Sequence, residues 1–180
     1  AREFRVLSGL ARVGFPAPQP IALCEDPAVN GCAFYVMDYR DGVVIAEDLP
    51  EGYAAAPEER RALSVSLIRT LAELHAIDYG AVGLGDFGRP GGYLERQVRR
   101  WSEQWARSAT RPLAGVRELT RRLEGAIPAS PPPAIVHGDY RLGNMMLAHD
   151  DPGRVVAVLD WEMATLGDPL SDLGYTLIYW

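Results

Sequence analysis

The stretch that decides the fold is His137-Gly138-Asp139-Tyr140-Arg141-Leu142-Gly143-Asn144. It has the form H-x-D-x-x-x-x-N, with an aspartate and an asparagine five positions apart. A short apolar run precedes it at 134–136 and another follows it at 145–147, so we predict two buried strands joined by a polar loop. Asp139 then sits at the mouth of this loop, free to accept a proton.

A hairpin after the loop brings a second acidic residue to it. Residues 150–153 predict a turn and 155–159 a strand that folds back on 145–147. In that pairing residue 147 lies near 155 and residue 145 near 157, so Asn144 and Asp160 leave the hairpin at the same end. An amide oxygen and a carboxylate are hard ligands suited to Mg²⁺. We predict metal-assisted phosphoryl transfer, with Asp139 as catalytic base and Asn144 and Asp160 as metal ligands.

Each of these residues also has an ordinary structural interpretation. Asp and Asn in loops commonly form Asx turns and caps, and His137 could be a histidine satisfied within the core. A metal-dependent hydrolase could use the same carboxylates, but the chain has only three histidines. The order and joint spacing of the three residues favour phosphoryl transfer.

The same residues resemble a known family. HGDYRLGN at 137–144, followed by VLDWEMATLGDPLSDLGY at 158–175, is similar to the aminoglycoside phosphotransferase/choline-kinase-like family of small-molecule kinases. The resemblance covers the whole chain and implies ATP and Mg²⁺ as cofactors, with the same roles for Asp139, Asn144 and Asp160. It also implies that Asp172 supports the catalytic loop from the helix that follows.

The resemblance places the nucleotide among the first forty residues. REFRVLSGL, starting at Arg2, is similar to the end of the helix whose glutamate pairs with a strand lysine, and Glu3 would be that glutamate. CAFYVMDYRDG, starting at Cys32, resembles the strand and hinge between two lobes. There the family places adenine against the backbone near Met37, Asp38 and Tyr39.

The implied fold is α+β, a protein-kinase-like arrangement of two lobes. Residues 1–40 would be the remainder of the N-lobe with the hinge, and residues 41–180 the helical C-lobe with the catalytic loop and metal-binding hairpin. All 18 basic residues are arginine. The phosphate-binding lysine of the family is therefore missing, and we expect a partial chain that lacks the start of the N-lobe and the end of the C-lobe.

The region from Gly14 to Gly42 most resembles the kinase-like domains fused to some acyl-CoA dehydrogenases. That branch implies phosphorylation of a hydroxyl group on a hydroxy acid or its acyl-CoA. An aminoglycoside or other antibiotic O-phosphotransferase is an alternative, and a nucleotide-binding pseudokinase is another. Only seven residues separate Asp160 from Asp168, which leaves no room for a long activation segment and disfavours a protein substrate.

The composition of the chain excludes some classes of binding partner and favours others. The net charge of −6 argues against nucleic acid and anionic membranes, and no apolar run approaches the ~20 residues of a membrane span. Two cysteines form no disulfide framework, so a cytoplasmic setting fits best. Residues 89–122 hold nine arginines against three carboxylates, which predicts either a solvated face or a patch for an anionic substrate. The oligomeric state stays open.

Periodicity and turn residues predict the remaining elements. Asn30-Gly31 is typical of a tight hairpin turn, and Asp168 is a candidate N-cap with Pro169 at the first helical position. We expect Trp101 and Trp105 to be packed. The predicted helices are 2–13, 57–77, 92–108 and 113–125, and the predicted strands of the first half are 21–24 and 32–39.

Overall fold

The computed structural model describes residues 1–179 and contains both helices and short strands. Helices α1 to α6 span Arg2–Ala11, Pro27–Asn30, Pro57–His75, Tyr93–Ser108, Ala114–Gly125 and Leu170–Thr176. Strands β1 to β7 span Pro20–Cys24, Phe34–Met37, Val43–Val44, Ala134–Val136, Met145–Leu147, Val155–Val158 and Thr165–Gly167. The α+β class predicted from the sequence is confirmed, and the long helices agree with prediction to within two residues at each end.

The strands form small antiparallel sheets. Strand β1 pairs with β2, β5 lies between β3 and β6, and β4 pairs with β7. Strands β3 and β7 were not predicted: β3 has only two residues, and β7 includes a threonine and a glycine and so is not a continuous apolar run. Strand β7 matters for the site, since it holds the segment after Asp160 against the strand that leads into the catalytic loop.

The connection between β1 and β2 differs from the predicted tight turn. Asp26 accepts a hydrogen bond from the Ala28 N–H at 2.8 Å and caps the short helix α2. Gly31, with φ 76°, ends that helix. A capping aspartate followed by proline favours a helical turn over a two-residue hairpin, so β2 begins at Phe34 rather than at residue 32.

The hairpin of β5 and β6 carries the predicted register with one correction. Leu147 pairs with Val155 as predicted, but Met145 pairs with Val158 instead of residue 157. A bulge between Met146 and Leu147 accounts for the shift, because it inserts one extra residue into β6. Asn144 and Asp160 still emerge at the same end of the hairpin.

The core is continuous from α1 through α3 to the hairpin. Helix α3 buries one stripe, as its leucine spacing predicts: Leu63, Leu67, Leu71 and Leu74. Trp161 completes this core with 2% of its surface exposed. None of the helices within residues 1–179 is both long and apolar enough to cross a membrane.

Helices α4 and α5 form an arm, residues 93–125, that is the exception to this packing. The two helices contact each other, and within the arm only Tyr93 is buried. The prediction that Trp101 and Trp105 are packed was wrong, since they are 50% and 38% exposed. Amphipathic spacing identified the apolar face of α4, but that face is covered only in part by α5.

Candidate active site

A buried carboxylate fixes the backbone of residues 137–144, the loop predicted to be catalytic and called the catalytic loop below. The side chain of Asp172, on α6, accepts hydrogen bonds from the N–H groups of His137 and Gly138, both at 2.8 Å. His75 Nε2, at the end of α3, lies 3.0 Å from the same carboxylate. Asp172 is 1% exposed, so it ties α3, α6 and the loop together, in keeping with the supporting role that the resemblance implies.

Gly138 allows the loop to pass close beneath the segment after Asp160. Its φ is +88°, and a Cβ at this position would lie 2.9 Å from the backbone oxygen of Met163. An L residue would be strained by the backbone conformation and would also clash. Glycine therefore brings the start of the loop against residues 161–164.

His137 is a buried structural residue whose tautomer is fixed by its neighbours. Its Nδ1 accepts a hydrogen bond from the Asp139 N–H at 3.2 Å, so its Nε2 carries the proton and donates to the Leu159 carbonyl at 2.9 Å. Burial lowers the pKa of this imidazole, against the opposing charge of Asp172. Of the two interpretations left open by the sequence, the structure supports the satisfied core histidine.

Asp139 and Asn144 are in direct contact. The amide nitrogen of Asn144 donates to the backbone carbonyl of Asp139 at 2.8 Å and to its Oδ2 at 2.7 Å. Both amide hydrogens are therefore engaged. The amide oxygen of Asn144 accepts no hydrogen bond within residues 1–179, which leaves it able to bind a cation.

The Asp139 carboxylate has two further neighbours, Arg141 and Tyr175, that the sequence did not single out. Arg141 Nε lies 3.4 Å from Oδ1, and the Tyr175 hydroxyl lies 3.2 Å from that of Tyr179. Hydrogen bonds with Tyr179 and then with Asp139 raise the pKa of Tyr175. Tyr175 follows Asp172 by three residues on the same face of α6, and this spacing was the signal that could have found it.

Asp160 adopts a backbone conformation that is rare for a residue with a side chain. Its φ is +62°, in the left-handed region, where strain is commonly found at functional sites. The next residue, Trp161, is buried and donates its indole N–H to the Val158 carbonyl at 2.9 Å, and the Leu159 N–H donates to the Asn144 carbonyl at 2.8 Å. These contacts turn the Asp160 side chain outward, where it is exposed.

The donor set of Asn144 and Asp160 fits a magnesium ion that keeps water and phosphate ligands. Within residues 1–179 no group of three or more His, Cys, Asp or Glu side chains forms a closed metal site. Mg²⁺ is typically held by one or two carboxylates together with substrate phosphates. One free amide oxygen and one exposed carboxylate suit that type of site and do not suit structural zinc.

One of the predicted nucleotide residues, Glu3, acts on the same tyrosine as Asp160. Burial raises the pKa of the Tyr35 phenol, and the Glu3 carboxylate raises it further through its charge and a hydrogen bond, followed by the charge of Asp160. Tyr35, on β2, is thus a common neighbour of Glu3 and Asp160.

In the predicted hinge, residues 37–39, the aspartate side chain is engaged with neighbouring residues and would not be available to a nucleotide. Asp38 exchanges hydrogen bonds with Gln19, at 2.9 Å through its N–H and 2.6 Å through Oδ1, and pairs with Arg40 at 2.8 Å. Met37 is 44% exposed and Tyr39 88%. Because Asp38 is engaged with its neighbours, a nucleotide at the hinge would be left with the groups of Met37 and Tyr39 and the Asp38 carbonyl.

Comparison with known sequences identifies relatives of the whole chain. A model of the phosphotransferase enzyme family matches residues 1–180. Acyl-CoA dehydrogenase family member 11 from Rattus norvegicus is 39% identical over 180 residues, which are 99% of this chain and 23% of the relative. Acyl-CoA dehydrogenase family member 10 from Mus musculus is 36% identical over 98% of this chain and 16% of its own length. The chain thus spans less than a quarter of these relatives.

Solved structures share the fold. A candidate aminoglycoside phosphotransferase from Ralstonia eutropha superposes with a TM-score of 0.90 and is 42% identical, over 98% of this chain and 54% of its own. A complex of APH(2")-IIia with GDP and kanamycin has a TM-score of 0.68 at 19% identity, over 97% of this chain and 60% of its own. These matches confirm the kinase-like fold and the family resemblance found from the sequence.

Proposed function

Because the chain belongs to the phosphotransferase enzyme family, we propose that it transfers the terminal phosphoryl group of ATP to a hydroxyl group of a small molecule. The observation that carries this proposal is the contact of Asn144 with Asp139. Both amide hydrogens of Asn144 form hydrogen bonds with Asp139, so the amide oxygen would be available to bind a cation. This contact supports the proposal, because a carboxylate that could accept a proton would lie beside an amide oxygen that could bind a metal ion.

Asp139 is the proposed catalytic base. Its Oδ2 is held by Asn144 and its backbone N–H by His137, so the carboxylate is oriented before a substrate arrives. It would orient the acceptor hydroxyl and take its proton late in a loose transition state, which does not demand high basicity. Tyr175 and Arg141 border the same carboxylate and would limit how an acceptor approaches it.

Asn144 and Asp160 are the proposed ligands of Mg²⁺, which when bound would offset the charge of the β- and γ-phosphates. The left-handed backbone of Asp160 and its exposed side chain support this role, as does the 2.8 Å hydrogen bond from the Leu159 N–H to the Asn144 carbonyl, which holds the two residues at the same end of the hairpin. Glu3 and the hinge residues Met37, Asp38 and Tyr39 are the proposed nucleotide-binding residues. Glu3 would pair with a lysine that this chain does not contain.

For the acceptor we propose a hydroxy acid or a hydroxyacyl-CoA. The relatives named as acyl-CoA dehydrogenase family members support this class, and so does the excess of arginine in residues 89–122. An aminoglycoside is the second candidate, favoured by the 42% identity with the Ralstonia eutropha protein. The cytoplasmic setting stays a prediction from the sequence.

An ATP-consumption screen of the natural-length protein tests the function. The panel contains hydroxy acids, hydroxyacyl-CoAs, aminoglycosides and choline, each with Mg²⁺. We expect turnover on an acid or thioester that is lost in Asp139→Asn. Turnover of kanamycin-like compounds alone would replace the acceptor and keep the phosphotransferase. Nucleotide binding with no turnover on any acceptor would support the pseudokinase alternative.

A further inference from the structure

A cavity of about 550 Å³ lies beside the catalytic loop, on the side of the arm. Its lining includes Gly138, which directly precedes Asp139 in the chain, Tyr175, and the first turn of α4. The cavity is large enough for part of a small metabolite. An acceptor bound here would have a short path to Asp139.

Four arginines line this cavity: Arg2, Arg89, Arg96 and Arg100. Two of them are engaged with the protein itself. Arg2 donates to the carbonyls of Phe87 at 3.0 Å and Ala164 at 2.8 Å, and Arg96 donates to backbone carbonyls in the loop before α4. These two guanidinium groups stabilise the lining of the cavity, and few of their N–H groups remain available to bind a ligand.

The other two keep their N–H groups available, although the guanidinium group of Arg100 lies over the ring of Trp101, 5.6 Å from its centroid. Neither Arg89 nor Arg100 makes a side-chain hydrogen bond or an ion pair within residues 1–179, and both are exposed. The lining contains two acidic residues. The Asp172 carboxylate already accepts hydrogen bonds from the catalytic loop, and Glu162 is exposed to solvent. Positive charge therefore exceeds negative charge in the cavity, and an anion would relieve the repulsion between the arginines.

We propose that Arg89 and Arg100 bind the anionic group of the acceptor and so select the substrate. A guanidinium group forms two parallel hydrogen bonds with a carboxylate or a phosphate, which fixes the orientation of the molecule that carries it. Trp101, half exposed in the same lining, offers a flat apolar wall to the chain between the anion and the hydroxyl. A polycationic acceptor would meet like charges here.

This inference rests on the proposed function, because it takes the cavity as the acceptor side of a phosphotransferase. It adds the residues that would distinguish an anionic acceptor from a neutral or cationic one. The anion is either a phosphate of coenzyme A or the carboxylate of a free hydroxy acid, and the test uses one probe for each.

The test measures binding to the natural-length protein saturated with Mg²⁺ and a non-hydrolysable ATP analogue. The probes are coenzyme A and 3-hydroxybutyrate, titrated by calorimetry at low salt. We expect Arg89→Gln combined with Arg100→Gln to weaken the bound probe by about 10- to 150-fold, the effect of losing charge-assisted hydrogen bonds. The control, Arg111→Gln combined with Arg117→Gln, removes the same charge from the exposed arm and should change binding little.

Three outcomes overturn the anion site: neither probe binds, both double variants weaken binding equally, or the Arg89/Arg100 variant binds as the wild type does. Asp139→Asn separates this inference from the proposed function, because it should keep probe binding while losing turnover. Arginine-dependent binding in a protein that phosphorylates no acceptor would overturn the phosphotransferase and leave the anion site. Turnover of a cationic acceptor without probe binding would do the reverse.

Discussion

The side chains of Asp172 and Glu118 each accept three hydrogen bonds, but they differ in burial and in where their partners lie in the chain. The side chain of Asp172 is fully buried and binds two backbone N–H groups of the catalytic loop and His75. Glu118 is 45% exposed and binds only Arg121 and Arg122 on its own helix. A carboxylate positions a site when its partners come from distant parts of the chain and water is excluded.

The same contrast holds for the two regions as a whole. Around the catalytic loop, buried polar groups fix the backbone before any substrate binds, and Trp161 is sealed in the core. In the arm, Trp101 stays half exposed and most arginines lie on the surface. Under the two proposals, phosphoryl transfer would take place in residues 134–176, named here the rigid region, and the acceptor would be selected at its border with the arm.

The largest effect should come from Asp160→Ala. Loss of this carboxylate removes a proposed metal ligand, and a bound cation contributes several kcal/mol to phosphoryl transfer, so turnover should fall by several orders of magnitude. Calorimetry should also show ATP binding that no longer depends on Mg²⁺. Asp150→Ala, an exposed aspartate at the other end of the same hairpin, is the matched control. Unchanged Mg²⁺ dependence in Asp160→Ala would contradict the metal assignment.

A smaller but decisive effect is expected for Asp172→Ala against Glu118→Ala. The first leaves two loop N–H groups and His75 without their acceptor, which should lower the free energy of unfolding by about 3–5 kcal/mol. The second removes surface ion pairs and should have no measurable effect. Chemical denaturation measures both. Equal losses in the two variants would mean that burial does not distinguish the two regions as we argue.

The pH dependence of stability should trace to His137. Because burial lowers its pKa in the folded state, the unfolded chain takes up a proton first as the pH falls below the ordinary value of about 6.5. The unfolded state then binds more protons, so stability falls with falling pH, by up to about 1.4 kcal/mol per pH unit. Protonation would also place a hydrogen on Nδ1, against the Asp139 N–H.

Denaturation at several pH values between 7 and 5 measures this slope. His137→Gln should flatten it, whereas His149→Gln, at a histidine 62% exposed near the hairpin turn, should leave it unchanged. A wild-type slope in His137→Gln would assign the pH dependence to other groups.

The sequence predicted the rigid region better than the arm, for physical reasons. Strands 134–136 and 145–147 were predicted to the residue, because each is a short apolar run bounded by polar or turn residues. The hairpin was one residue out at Met145, since a bulge leaves no mark in the apolar pattern. His75 and Tyr175 were missed: the first is 97 residues away from Asp172, and the second could have been found only from its spacing to Asp172 on α6.

In the arm, the helices were predicted but their surroundings were not. An amphipathic pattern shows which face is apolar and does not show what covers it, so Trp101 and Trp105 were wrongly expected to be packed. The choice between a solvated face and an anion patch for residues 89–122 could not be made from charge alone. The cavity distinguishes Arg89 and Arg100, which line it unpaired, from Arg111 and Arg117, which lie elsewhere on the arm.

The central claim is that the rigid region performs phosphoryl transfer with Asp139 as base, and Asp139→Asn tests it most directly. An amide keeps the shape and can still accept the Asn144 hydrogen bond, but it cannot take a proton. In one preparation of the natural-length protein, Mg²⁺-ATP affinity and turnover on the acceptor found by the screen are both measured. We predict unchanged affinity with turnover reduced by about 10²- to 10⁴-fold. Wild-type turnover would contradict the account and make Asp139 a residue that only shapes the loop.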